Sequence, residues 1–240
     1  MNVIDVTGME YARVNEELRA AGSEVEITGC CGQRFIGAGF SGKRISIQGI
    51  PGNALGAYLN GAEITVCGNA QDAVGDTMNN GKIIIGGSIG DAAGYAMRGG
   101  EIYVKGDAGY RAGIHMKEYR EKRPVIVIGG KCGSFLGEYQ AGGIIIVLGL
   151  TENDKKIVSN FPCTGMHGGR VFLRSDAAGI DFPKNVTVSP ADEADKEGIA
   201  AYIAEFCRRF GYDYGEIMSA AFTKVEPDSK NPYKQMYVAN

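Results

Sequence analysis

Residues able to do covalent or metal chemistry are few. Histidine occurs twice, His115 within GIHMKEYREKRP and His167 within TGMHGGR, and cysteine six times, at Cys30, Cys31, Cys67, Cys132, Cys163 and Cys207. Acyl transfer or hydrolysis needs a nucleophile beside a base that a third group orients. Neither histidine has a serine, cysteine or carboxylate held against it by a fixed spacing. The cysteines contain no C-x-x-C, and two imidazoles do not complete a zinc or iron–sulfur ligand set. They read as small, buried, reduced thiols, without a disulfide or a metal. Asn53, Asp72 and Asp91 recur at one spacing, and two stacked carboxylates would hold a cation or cap turns. Turn capping is the simpler reading. No catalytic, cofactor-binding or metal-binding residue is assigned. His115, Lys117 and Arg120, in a charged stretch, and His167, in a glycine-rich turn, are read as surface positions that face a partner.

Phosphate-binding motifs are absent too: there is no G-x-G-x-x-G between strand and helix and no G-x-x-x-x-G-K-[ST]. A net charge of −3 gives no broad positive field for nucleic acid or an anionic membrane. No apolar run approaches the ~20 residues of a spanning helix, and the start lacks a leader pattern, so a cytoplasmic protein is expected.

What positions these residues is a repeat. Apolar-x-apolar triplets begin at Val25, Ile45, Ile64, Ile83, Ile102, Val125 and Ile144, with offsets of 20, 19, 19, 19, 23 and 19. Glycine, 37 of 240 residues, falls in columns rather than in a collagen triplet. One column holds Gly29, Gly49, Gly68, Gly87, Gly106 and Gly129, and a second holds Gly37, Gly56, Gly75, Gly94, Gly113 and Gly137. Both are read as corners that need positive φ or leave no room for a Cβ. Two further apolar columns follow, Ile36/Leu55/Val74/Ala93/Ala112/Leu136 and Phe40/Leu59/Met78/Met97/Met116.

A unit of ~19 residues is too short for a strand and a packed helix, but it matches one circuit of three short strands. The expected architecture is all-β: a right-handed parallel β-helix, a single-stranded solenoid of about seven to eight coils, with N- and C-terminal capping helices. Residues 1–22 are assigned to the first cap, with Thr7 and Glu10 as a capping box. Residues 23–188 are assigned to the β-helix, and 189–240 to a helix opened by Ser189-Pro190 and an extended tail. Ile84, Tyr103, Ile126 and Ile145 continue a column read as outward-facing. That apolar strip must be covered, by the C-terminal helix or by another chain, and a homodimer of the isolated chain is one such cover.

The block GDAGYRAGIHMKEYREKRPVIVIGGKCGSFLGEYQAGGIIIVLGL, with TGMHGGRVFLR and the terminal NPYK, resembles the C-terminal GXGXG domain of the glutamate synthase large subunit. It is similar, more distantly, to the glycine-cornered β-helix of formylmethanofuran dehydrogenase. The resemblance implies a stand-alone, non-catalytic scaffold subunit of a complex that moves glutamine amide nitrogen to 2-oxoglutarate. Its implied partners are a glutamine amidotransferase subunit and a synthase subunit with FMN and an iron–sulfur cluster, none of these groups being bound by this chain. A hexapeptide-type β-helix acyltransferase is the rival from another class, but it needs an unbroken six-residue aliphatic pattern, and here the period is 19.

Overall fold

In a computed structural model, which describes residues 2–150 and 156–229, eleven strands form one sheet. In chain order they are β1 (Asn2–Asp5), β2 (Glu24–Cys31), β3 (Arg44–Ile50), β4 (Asn60–Val66), β5 (Asn80–Ile85), β6 (Gly100–Val104), β7 (Pro124–Ile128), β8 (Ala141–Val147), β9 (Gly168–Leu173), β10 (Val186–Pro190) and β11 (Thr223–Pro227). The helices are α1 (Tyr11–Ala20), α2 (Glu193–Phe210) and α3 (Tyr214–Ser219). Strands β1 to β9 stack in parallel and in chain order, one per coil, so the chain is a parallel β-solenoid.

Only one face of each coil is a full strand. The second face shrinks to single parallel bridges, Ala70 to Ile89 to Ala108 to Cys132 to Val158. The third face is not a strand at all: every second residue has positive φ, as at Ala54, Gly56 and Tyr58 or at Ala92, Gly94 and Ala96. The expected circuit of three strands is corrected accordingly, because a chain whose φ alternates in sign cannot make a β ladder. It bonds to its neighbours nonetheless: Gly94 N donates to Val74 O below at 2.7 Å, while Ala92 N donates to Tyr110 O above at 2.7 Å.

Of the three positive-φ places per coil, the middle one faces the lumen. A Cβ built on Gly56 would lie 2.6 Å from Ile83 Cδ1, and one on Gly94 would lie 2.5 Å from Ile126 Cδ1. The outer two point to solvent and carry Phe35, Tyr58, Thr77, Arg111, His115, Phe135, Tyr139 and Phe161. Lumen space, rather than φ alone, selects glycine. In the last coil the middle position is held by Cys163, fully buried at φ 60. Since alanine in this conformation costs about 1 kcal/mol and space is not limiting at Ala96, Ala96→Gly is expected to stabilise by about 0.5–1 kcal/mol in urea unfolding.

The strand face holds two registers that the period does not reveal. Tyr103 pairs with Val127 and Ile102 with Ile126. Ile126 and Ile145 therefore lie inside, both 0% exposed, and the outward places belong to Val127 and Ile146. The outward assignment of Ile126 and Ile145 is overturned. Segments PVIVI and GGIIIV are apolar on both faces, and a slip of one residue inverts every side chain. The corner column shifts with them: Gly130 N, not Gly129 N, donates to Gly106 O at 2.8 Å, and Gly129 lies against the Phe206 ring. At the first coil a bulge places Cys30, not Gly29, opposite Gly49.

A helix covers the N-terminal end, but the expected C-terminal capping helix is corrected: Ala177, Ile180, Phe182 and Val186 pack on the last part of the lumen core, and α2 lies along the outer face of the sheet instead. Residues 2–5 form β1 rather than helix, and Thr7 bonds back to Asp5 instead of capping. Helix α1 starts at Tyr11, because Gly8 leaves the helical region at φ 71. Val14 and Leu18 of α1 seal the lumen. Asn15 stands in for a missing coil: its side chain accepts from Gly37 N and donates to Phe35 O, both at 3.0 Å. At the other end Ser189-Pro190 closes β10, and α2 begins after Asp192, whose side chain forms a capping box with Asp195. The tail read as an extended arm supplies β11, inserted antiparallel between β9 and β10, so β10, whose first residues 186–188 were assigned to the β-helix, pairs antiparallel with the tail. NPYK and the rest of 230–240 lie outside the described residues, as do 151–155.

Candidate functional site

The outward apolar strip is closed by its own chain. Ile84, Tyr103, Val127, Ile146 and Phe172 pack beneath Ile199, Ile203, Phe206 and Cys207 of α2, with Ile217 and Phe222 beside them. Ile84 and Tyr103, read from the sequence as facing a partner, are 3% and 1% exposed and face α2 instead. A polar clamp rims this contact. Arg209 makes a bidentate bridge to Glu63, at 2.9 and 3.1 Å, and also reaches Glu205. Lys82 bridges Glu101 at 3.0 Å and Glu205 at 3.4 Å.

The pKa of Glu205 is lowered to about 2 by its bonds to Arg208 and then Arg209, with the Lys82 charge adding to them. A carboxylate depressed on folding stabilises the fold above its unfolded value of about 4.3 and loses that contribution as pH falls toward 2. Thermal unfolding is therefore expected to show a fall in midpoint between about pH 4.5 and pH 2 that Glu205→Gln reduces.

The thiols do not converge on a reactive centre. Burial pushes Cys132 and Cys163 up to about 12, and Cys30 to about 11, which leaves them protonated. Cys31 and Cys67 are on the surface, a correction to the reading of all six as buried. Among the described residues no group of three His, Cys, Asp or Glu is placed to hold a metal ion. Asp72 and Asp91 each accept the backbone N–H one coil above, from Asp91 and Tyr110 at 2.9 and 2.7 Å, so they cap the next coil rather than their own turn. No described helix is long and apolar enough to cross a membrane.

His115 and His167 are linked through Tyr139, whose ring stacks on His115 and lies against Gly165, the residue whose carbonyl meets His167. His115 is an outer positive-φ residue, its ring stacked on Tyr139 at 5.2 Å and met edge-on by Tyr95 at 6.0 Å. Lys117 and Arg120 follow it on an exposed turn. His167 turns its Nδ1 to Gly165 O at 3.0 Å and lines an open cleft of about 560 Å³ with Glu118, Arg123, Gly143, Arg170 and Glu226. Sequence reading missed Tyr95, one residue after the middle glycine Gly94, and Tyr139, two residues after Gly137. Aligning positions on that column pairs Tyr139 with His115, both two residues after a middle glycine, but leaves Tyr95 out of the row.

Positive φ thus recurs around a lumen-facing glycine in coil after coil. The profile of the GXGXG motif family matches residues 7–230. The chain belongs to this family. An uncharacterised protein of Methanocaldococcus jannaschii is 41% identical, over 98% of this chain and 95% of its own length. Among solved structures, a chain of the formyltransferase/hydrolase complex of Methylorubrum extorquens, determined with methylofuran, matches with a TM-score of 0.66. It shares 20% identity and covers 95% of this chain and 91% of its own, a likeness of fold. Within the family pattern, only the middle position keeps glycine in six of the seven coils seen here; the outer ones carry alanine, aromatic, threonine, arginine and histidine side chains, with glycine at Gly39 and Gly165.

Proposed function

We propose that this GXGXG chain is a non-catalytic scaffold subunit of a glutamate synthase-type oxidoreductase complex. It packs a glutamine amidotransferase subunit and a synthase subunit that carries FMN and an iron–sulfur cluster. The observation that supports this reading most is the family match over 7–230, joined to a lumen filled by aliphatic ladders from end to end. Among the described residues no group of three His, Cys, Asp or Glu is placed to hold a metal ion, which is in keeping with a scaffold. The outer positive-φ corner offers the faces on which partners would pack.

The test is an affinity tag on the chain in its native host. An amidotransferase and a flavin- and iron–sulfur-bearing subunit are expected to co-elute. The complex, and not the isolated chain, is expected to form glutamate from glutamine and 2-oxoglutarate. Elution of the chain alone, or turnover by it alone, would count against the reading. A scaffold of the formylmethanofuran type is the second reading, favoured by the fold likeness to the formyltransferase/hydrolase complex. The identity of the co-eluting subunits separates the two.

A further inference from the structure

The coil that carries His115 is longer than its neighbours, and the extra residues do nothing for the core. Met116 and Pro124 are buried, while 117–123 between them are exposed throughout. They fold into a tight antiparallel turn in which Tyr119 N donates to Lys122 O and Lys122 N to Tyr119 O, each at 3.1 Å. Arg120 takes the positive-φ place at 57° and lies over the Tyr119 ring at 5.3 Å. Glu118 anchors the turn, accepting from Gly143 N at 3.3 Å and from Arg123 at 3.0 Å. That leaves Lys117, Arg120 and Lys122 against Glu121, a basic projection on a chain whose net charge is −3.

At the foot of this turn stands the Tyr95–His115–Tyr139 stack, with Tyr95 and Tyr139 41% and 37% exposed. Beside it Arg111 lies over the Phe135 ring at 4.9 Å and is fixed by Glu138 at 2.9 Å. Stacked aromatics with arginine are the composition of interface hot spots, and side chains already locked by one another lose little entropy on binding. We propose that the Tyr95–His115–Tyr139 stack and the basic turn 117–123 form one docking surface for an acidic segment of a partner subunit. The proposal rests on the scaffold reading above and says which face of the chain a partner takes. Charge selects the occupant. A second copy meeting this face across a two-fold axis would set the basic turn against itself.

The test places a photo-crosslinking benzoylphenylalanine at position 139 of the full chain in its native host. A second chain carries it at position 58, on the same ladder in an early coil. Position 139 is expected to crosslink one partner subunit within a peptide rich in Asp and Glu, and position 58 is not. The Lys117→Glu/Arg120→Glu/Lys122→Glu variant, with an unchanged unfolding midpoint, is expected to cut the yield about tenfold, as is raising salt to about 0.5 M. Crosslinks to a second copy, to nucleic acid or to a basic peptide would overturn the proposal, as would a yield that ignores charge reversal. If partners still co-elute while position 139 stays silent, the surface is wrong and the scaffold reading survives. If the wild-type chain elutes alone, both fall.

Discussion

Gly94→Val is expected to abolish folding, and Gly94→Ala to cost about 2–5 kcal/mol. The sum has two parts. A side chain at φ 66 costs about 1–2 kcal/mol because Cβ crowds the following carbonyl. Overpacking adds about 1–3 kcal/mol, since the new Cβ meets Ile126 Cδ1 at 2.5 Å and the lumen is already filled. Stabilities of whole domains are only about 5–15 kcal/mol, so the branched side chain exceeds what the fold can absorb. Urea unfolding monitored by far-ultraviolet circular dichroism reads the alanine variant, and soluble yield reads the valine variant. A Gly94→Ala protein within about 0.5 kcal/mol of wild type would show that lumen space does not select this glycine. Ala96→Gly, two residues on and with the same sign of φ, is the internal control, because only the direction of Cβ differs.

Phe206→Ala carries the second large effect, about 3–5 kcal/mol of stability. Phe206 lies near the C-terminal end of α2. It is fully buried over Gly129, with Phe210 at 4.9 Å and Tyr212 at 5.5 Å around its ring. Removing it opens a cavity beside Tyr103, Val127 and Ile146. Loosening α2 also uncovers a row of apolar side chains on a flat parallel sheet, which favours association. A lowered unfolding midpoint together with concentration-dependent light scattering is the expected pair of observations. A midpoint unchanged to within about 1 kcal/mol would mean that the polar clamp of Glu63, Arg209, Glu205 and Lys82 holds α2 without the ring.

These two residues mark the boundary of what could be read in advance. Gly94 was legible: a ribbon that returns to the same lumen on every lap meets the same isoleucine row, so the exclusion of a side chain repeats at one spacing. The partner-facing reading of Ile126 and Ile145 failed for an equally definite reason. Strand periodicity is two, and a segment such as PVIVI is apolar at both phases, so nothing local chooses the inward face. The choice came from α2, well downstream in the chain, which needed its own apolar bed. His115 was recognised as a surface residue, but its partners Tyr95 and Tyr139 come from neighbouring coils. Their ring contacts exist only once the coils are stacked.

The period, the lumen ladders, the middle glycine column and the helix that closes the N-terminal end were all written in the order of the residues. Each follows from local spacing and from the volume of single side chains. Folding in three dimensions set the phase of β7 and β8, the insertion of β11 between β9 and β10, and the closing of the outer strip within one chain. It also let Phe35, Tyr58 and His115 adopt positive φ without being glycine. One cause is common to all of these. Each is settled by hydrogen bonds and packing between residues one or more coils apart, whose energies outweigh the weak preferences that any short stretch of chain carries alone.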